Sequence, residues 1–252
     1  MFLLVDAGNS SIKWNVYDAA HKQFQWPPQS FLWRTDDLPG VLNKQWSGLK
    51  NIDAALIANV AGEKVQHTIQ EWLQTHWGIQ ARLICTEPQA FGVRNGYQTH
   101  SQLGVDRWLA VLAASQLAVN QNVCVVQCGT AITVDTLTAQ GYHKGGLIIP
   151  GPQTMKKALL QQTHGVKISE NNMGVSPFTD STSAAVNHGV LMAAVGFIDR
   201  AVDAIETELG SEVVKIISGG DAPIVCEHSR HTFMHEPELV LKGLALYANE
   251  NT

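Results

Sequence analysis

Asp6 and Lys13 bracket a short polar turn, Asp6-Ala7-Gly8-Asn9-Ser10-Ser11-Ile12-Lys13, and the chemistry open to those residues is the handling of phosphate. A Gly-Asn turn between strands exposes backbone N–H groups that can cradle an anion. Asn9 and Ser10 add side-chain donors, Lys13 adds a counter-charge, and the Asp6 carboxylate is suited to hold a hydrated Mg²⁺. A weaker copy recurs at Gln127-Cys-Gly-Thr-Ala-Ile-Thr-Val-Asp135, with Gly129 and Thr130 in the places of Gly8 and Asn9. Each copy follows an apolar run and enters an alternating stretch, Ile12, Trp14 and Val16 in the first, Ile132 and Val134 in the second. Two phosphate turns related by duplication imply a nucleotide-binding enzyme.

A second constellation is Gly104-Val105-Asp106-Arg107, at the mouth of an apolar helix. Asp106 is explained equally by helix capping and by a role as proton acceptor for a hydroxyl undergoing phosphorylation. Arg107 would bind an acidic substrate. Ser181-Thr182-Ser183 reads as the cap of a long helix. Gly145–Gly151 and Ser218-Gly-Gly-Asp221 are glycine-dense and fit ligand loops or tight turns alike. His228, His231 and His235 lack the spacing of a metal site.

The elements that must position these residues follow from periodicity. The first half reads as a hairpin, a third strand over 25–33, a short helix after Pro39, a strand over 52–58, a helix over 62–77 closed by Gly78, and a strand over 81–84. A loop over 91–100 leads to a helix from 104 or 106 to about 118. The second half repeats the order: strands over 123–127, 131–137 and 142–148, helices over 152–162 and 183–209, a strand over 213–217 and a terminal helix after Pro237. That order is the ribonuclease H-like one. The boundary falls near residue 120, giving domains 1–119 and 120–252, with the site expected in a cleft between them.

Composition excludes several classes. Of 252 residues, 45% are hydrophobic and 15% charged, which suits a globular chain with a real core. A net charge of −5, with no basic run, argues against a nucleic-acid or membrane partner. Cys85, Cys124, Cys128 and Cys226 form no CxxC pair and read as reduced thiols. No stretch has the make-up of an export signal or a membrane span, so a soluble cytoplasmic protein is expected.

The four motifs, Asp6–Lys13, Gly104–Arg107, Gly129–Asp135 and Gly145–Gly151, stand in the order and spacing of the type III pantothenate kinases, which the chain resembles over essentially its whole length. That family, also called Bvg accessory factor, belongs to the acetate/sugar kinase, chaperone and actin superfamily. The resemblance implies an α/β fold of two ribonuclease H-like (actin-like ATPase) domains, a homodimer, and phosphorylation of pantothenate by ATP with Mg²⁺, the first step of coenzyme A synthesis. Carried over residue by residue, Asp6 to Lys13 resembles the first phosphate loop, and Gly129 and Thr130 the second ATP contact. Asp106 matches the proton acceptor, and Tyr97, Gly104, Val105, Arg107 and Thr182 match positions that bind pantothenate. There are two departures. Ser10 replaces a threonine. Gln127 stands where many members carry an aspartate for a monovalent cation, which puts potassium or ammonium dependence in question. Rival readings are a kinase of another small molecule, separable by a panel of acceptors, and a non-catalytic ATP-binding regulator, which would not need the base.

Overall fold

A computed structural model describes residues 1–162 and 174–250. The chain divides into two compact units, Met1–Leu117 with Glu238–Thr252, and Ala118–Pro237.

In the first unit, β1 (Phe2–Ala7) and β2 (Ser11–Asp18) form the expected hairpin, and Asp6 pairs with Lys13 across it. The third strand is broken in two, β3 (Gln23–Phe24) and β4 (Gln29–Leu32), both against β2. Pro27 and Pro28 lie in the gap, and a residue without an N–H cannot continue the ladder. Helix α1 (Leu38–Trp46) starts where Asp37 Oδ1 accepts from Gly40 N at 2.9 Å, and it buries Leu38, Leu42 and Trp46 at helical spacing. Strand β5 (Ala54–Asn59) runs parallel to β1. Helix α2 (Glu63–Trp77) buries Val65, Ile69, Trp72 and Leu73 and ends at Gly78, whose φ of 68° favours glycine. Strand β6 (Arg82–Leu83) completes the sheet order β3-β2-β1-β5-β6. Trp46 anchors the core beneath it, edge-on to Trp14, Phe31 and Trp72.

A small hairpin, β7 (Gln89–Ala90) and β8 (Val93–Arg94), leads into and overlaps the stretch expected as a loop over 91–100. Helix α3 (Val105–Leu117) follows, with Val105 and Arg107 to Ala114 all buried.

The second unit has β9 (Val123–Cys128), β10 (Ala131–Leu137) and β11 (His143–Pro150), then helices α4 (Pro152–Gln162) and α5 (Thr182–Leu209). Ser181 caps α5 by accepting from Ala184 N, as its sequence position suggests, and Gly210 closes it at φ 64°. Strand β12 (Val214–Ser218), a helix α6 (Ala222–His228) with no counterpart in the sequence reading, and β13 (Met234–His235) finish the unit. Its sheet order, β11-β10-β9-β12-β13, matches that of the first, with the central hairpin strand parallel to the strand that follows the crossover.

The terminal helix α7 (Leu239–Asn249) groups with the first unit rather than with the half that precedes it in sequence. It is apolar on most sides because it packs on α3 as well as on β1 and β5. Gly243 makes this possible: a Cβ there would lie 2.3 Å from Leu109 O on α3. Asn15 on β2 ties the start of the helix, donating from Nδ2 to Glu238 Oε1 at 2.8 Å and to Trp26 O at 2.7 Å.

Candidate functional site

In the first unit the turn expected to bind phosphate is the connection between β1 and β2. Gly8 N donates to Ser11 O at 3.0 Å, which makes the reversal tight, and a Cβ on Gly8 would lie 3.2 Å from the same oxygen. Asn9 and Ser10 are exposed at the tip and Ser11 is half-buried. Ala7 and Ile12 have their side chains in the core, which leaves only their backbone to serve a ligand. The hairpin register explains the Asp6–Lys13 spacing, since paired residues project from the same face.

Asp6 is 8% exposed, and loss of water around its carboxylate pushes its pKa up to about 7. Lys13 acts in the opposite direction, and the negative charge of Asp106 pushes the same way as burial. The fold therefore brings Asp106, 100 residues beyond Asp6 in sequence, within electrostatic reach of that carboxylate, as it does Lys13. Two carboxylates and one ammonium at a phosphate turn suit a Mg²⁺–polyphosphate, whose cation would relieve the burial cost of Asp6.

Asp106 opens α3. Its Oδ1 accepts from Arg107 N at 2.9 Å, and Trp108 N bonds Gly104 O at 3.0 Å to close the first helical turn. A Cβ on Gly104 would sit 2.7 Å from Asp106 Oδ1. Val105 is buried. Arg107 is 5% exposed, donates from Nη1 to the Tyr97 hydroxyl at 3.0 Å, and lies 5.7 Å from that ring's centre. Asn95 holds the Tyr97 loop: its Oδ1 accepts from Tyr97 N at 3.0 Å, while its own N donates to Pro88 O. Tyr97, Asp106 and Arg107 thus form one cluster.

The second unit carries its own turn at Gly129-Thr130, both exposed. Cys128 pairs with Ile132, whereas Ala7 pairs with Ile12, so this turn is one residue shorter than the first. Thr130 O accepts from Gly151 N at 2.9 Å and from Thr154 Oγ1 at 2.6 Å. Both glycine-dense segments serve as close supports here: a Cβ on Gly151 would fall 1.9 Å from Gly129 O, and one on Gly219 2.1 Å from Cys128 O. Gln127 Oε1 accepts from Thr133 Oγ1 at 3.4 Å, across the hairpin. Thr182 is exposed at the first turn of α5.

Sequence reasoning did not single out Lys156, buried on α4, or its electrostatic partner Asp221, whose pKa is raised by burial and pulled down by Lys156. The signal available was the helix that follows Gly151-Pro152. Nor did it find the buried His143–Asp135 pair, 2.8 Å apart beside the register shift between Thr136 and Leu137. Among the described residues no cluster of His, Cys, Asp and Glu has the make-up of a metal site, and no helix is long and apolar enough to cross a membrane.

The sequence pattern of the family described as type III pantothenate kinase matches residues 2–204. A type III pantothenate kinase of Nitrosococcus oceani is 39% identical over 259 aligned residues, covering 100% of this chain and 95% of that protein. Among solved structures, a conserved Baf family protein from Campylobacter jejuni is similar at a TM-score of 0.61 and 22% identity, with 99% of this chain and 100% of that one covered. The inorganic polyphosphate/ATP-glucomannokinase of Arthrobacter sp. strain KM is similar at 0.50 and 11% identity, over 100% and 99%. At such identities the likeness of the two structures is one of fold, a mixed α/β architecture with two sheets shared with sugar kinases.

Proposed function

The chain belongs to the type III pantothenate kinase family, and from that premise we propose that it phosphorylates pantothenate with ATP, yielding 4'-phosphopantothenate for coenzyme A synthesis. The observation that carries the reading at the level of residues is the grouping of Asp6, Lys13 and Asp106 beside the Tyr97–Arg107 pair.

In this reading Gly8, Asn9 and Ser10 hold the polyphosphate through the turn and its side chains, and Lys13 neutralises charge on the transferring group. Gly129 and Thr130 of the second unit are further ATP contacts. Asp6 would hold Mg²⁺ through water, and the cation would supply charge neutralisation for the transferring phosphate. Arg107, oriented by Tyr97, binds the carboxylate of pantothenate. Gly104 and Val105 shape that pocket, and Thr182 is assigned to pantothenate binding as well. The acceptor's primary hydroxyl oxygen forms the new bond to the γ-phosphorus. The bond from that phosphorus to the β–γ bridging oxygen breaks, ADP departs, and the hydroxyl proton passes to Asp106.

The active protein is a homodimer in the cytoplasm. Supporting an association are Leu147 and Ile148, exposed on the edge strand β11, and Met192, exposed on α5. Gln127 makes the enzyme less dependent on potassium or ammonium than an aspartate would, since it brings no formal charge and its oxygen already accepts from Thr133. A coupled assay of ADP release, with and without pantothenate, tests the central claim. ATP turnover that ignores pantothenate and follows another acceptor would overturn it.

A further inference from the structure

Strand β4 runs beside β2 with Leu32 opposite Ser11 and Phe31 opposite Ile12, so the residues that follow it travel alongside the phosphate turn. Two of them grip its backbone. The Trp33 indole N–H donates to Gly8 O at 2.7 Å, and Arg34 Nε donates to Asn9 O at 3.2 Å. Trp33 is half-buried against the core that contains Trp46, and the Arg34 guanidinium lies 5.1 Å from the Trp33 ring centre. The three contacts fix the guanidinium as well as the turn.

Peptide planarity converts this grip into an orientation. In a trans peptide the C=O and the N–H of the next residue point in opposite directions. Engaging Gly8 O from the β4 side therefore aims Asn9 N–H away from β4, and engaging Asn9 O aims Ser10 N–H the same way. Two neighbouring amide donors directed to one side form an anion cradle. Arg34 makes no ion pair with any described residue, although Asp36 and Asp37 follow it in sequence. With Nε engaged by the turn, its two terminal nitrogens have no protein partner among the described residues.

We propose that Trp33 and Arg34 are unassigned parts of the nucleotide site. Trp33 is a positioning residue that sets the amides of the first turn, and Arg34 binds the polyphosphate of the nucleoside triphosphate directly through its terminal nitrogens. The claim rests on the kinase reading for the identity of the turn's ligand, and goes beyond it in the residues it adds. A planar guanidinium held on an aromatic face loses little freedom on binding, and its fork matches two phosphate oxygens.

The test is calorimetric binding of the β,γ-imido analogue of ATP with Mg²⁺ to the intact protein, in the absence of acceptor, paired with steady-state kinetics. Arg34→Ala should weaken binding of the analogue by about tenfold to a hundredfold, the range for a hydrogen bond to a charged group. The same variant should raise KM for ATP and leave KM for the acceptor unchanged. Arg34→Lys, which keeps the charge but not the fork, should fall between wild type and Arg34→Ala. Trp33→Phe keeps the ring and removes the N–H, and should raise KM for ATP with kcat little altered. A purely structural role for Trp33 would instead lower the melting temperature without that split. Analogue affinity in Arg34→Ala within about twofold of wild type, a difference too small to be a lost ionic contact, would overturn the assignment of Arg34 even if the wild type turns over pantothenate normally. A wild type inactive on pantothenate whose Arg34→Ala variant still loses analogue affinity would sink the substrate reading and leave the inference standing.

Discussion

At the scale of single residues, the cluster makes separable demands. Asp106→Asn keeps an acceptor for Arg107 N and removes the basicity, so kcat should fall by about 10²–10⁴-fold while the melting temperature stays near wild type. Near-normal turnover in the purified variant would reduce Asp106 to a helix cap. Asp6 has a thermodynamic signature of its own. Its folded-state pKa of about 7 lies well above the ordinary value for an aspartate, so the native state of the nucleotide-free protein takes up the proton more readily than the unfolded chain. That contribution is complete below pH about 4 and is lost as pH rises toward and through 7. Asp6→Asn should therefore be more stable than wild type at pH 8, with the gap shrinking toward pH 5, as read by denaturant melts of both proteins. A gap independent of pH would show that the carboxylate is not held protonated. The hairpin that carries Asp6 and Lys13 was legible in sequence as a strand, a glycine turn and a returning strand; the four-residue connection that sets the two opposite each other was not. Nor was the hold of Trp33 and Arg34 on the turn. It depends on the register of a strand interrupted by Pro27 and Pro28, and no spacing rule states where a tryptophan N–H will land.

At the scale of elements, α3 presents Asp106 and Arg107, and α7 holds α3 in place. Gly243→Ala adds one methyl where Leu109 backbone already sits, so the helices must part. The expected cost is about 1–3 kcal/mol of stability, the range for overpacking. The shift should also reach the pocket, raising KM for pantothenate more than KM for ATP. Unchanged stability in a chemical melt would mean that the two helices can slide freely. The long helices were legible because their stripes and end signals agree, as in α2 with Gly78 and α5 with Ser181 and Gly210. The short pieces β7, β8 and β13 were not, since two residues carry no period. Helix α6 escaped notice for a related reason: it is seven residues long and opens on Ala222-Pro223, which in sequence reads as a loop.

At the scale of the whole molecule, exposed Leu147 and Ile148 on β11 motivate a test of association. Ile148→Glu should convert a dimer to a monomer in sedimentation and depress activity, whereas an unchanged sedimentation coefficient would place any interface elsewhere. The repeated sheet order was legible from the two turns and the order of elements. The membership of α7 was not, because an apolar helix announces that it will be buried without saying against what. That membership has a consequence for the chain during its synthesis. The strands and helices of the first unit leave the ribosome early, but the helix that seals them follows the whole of Ala118–Pro237. At ordinary elongation rates of about 5–20 residues per second, the half-made unit waits on the order of ten seconds with the apolar flank of α3 uncovered. The contiguous unit can finish first, which makes the early segment the one in need of protection by a chaperone. Nascent chains stalled before and after α7 should differ in protease sensitivity within residues 1–117, and equal sensitivity would show that the first unit closes without its seal.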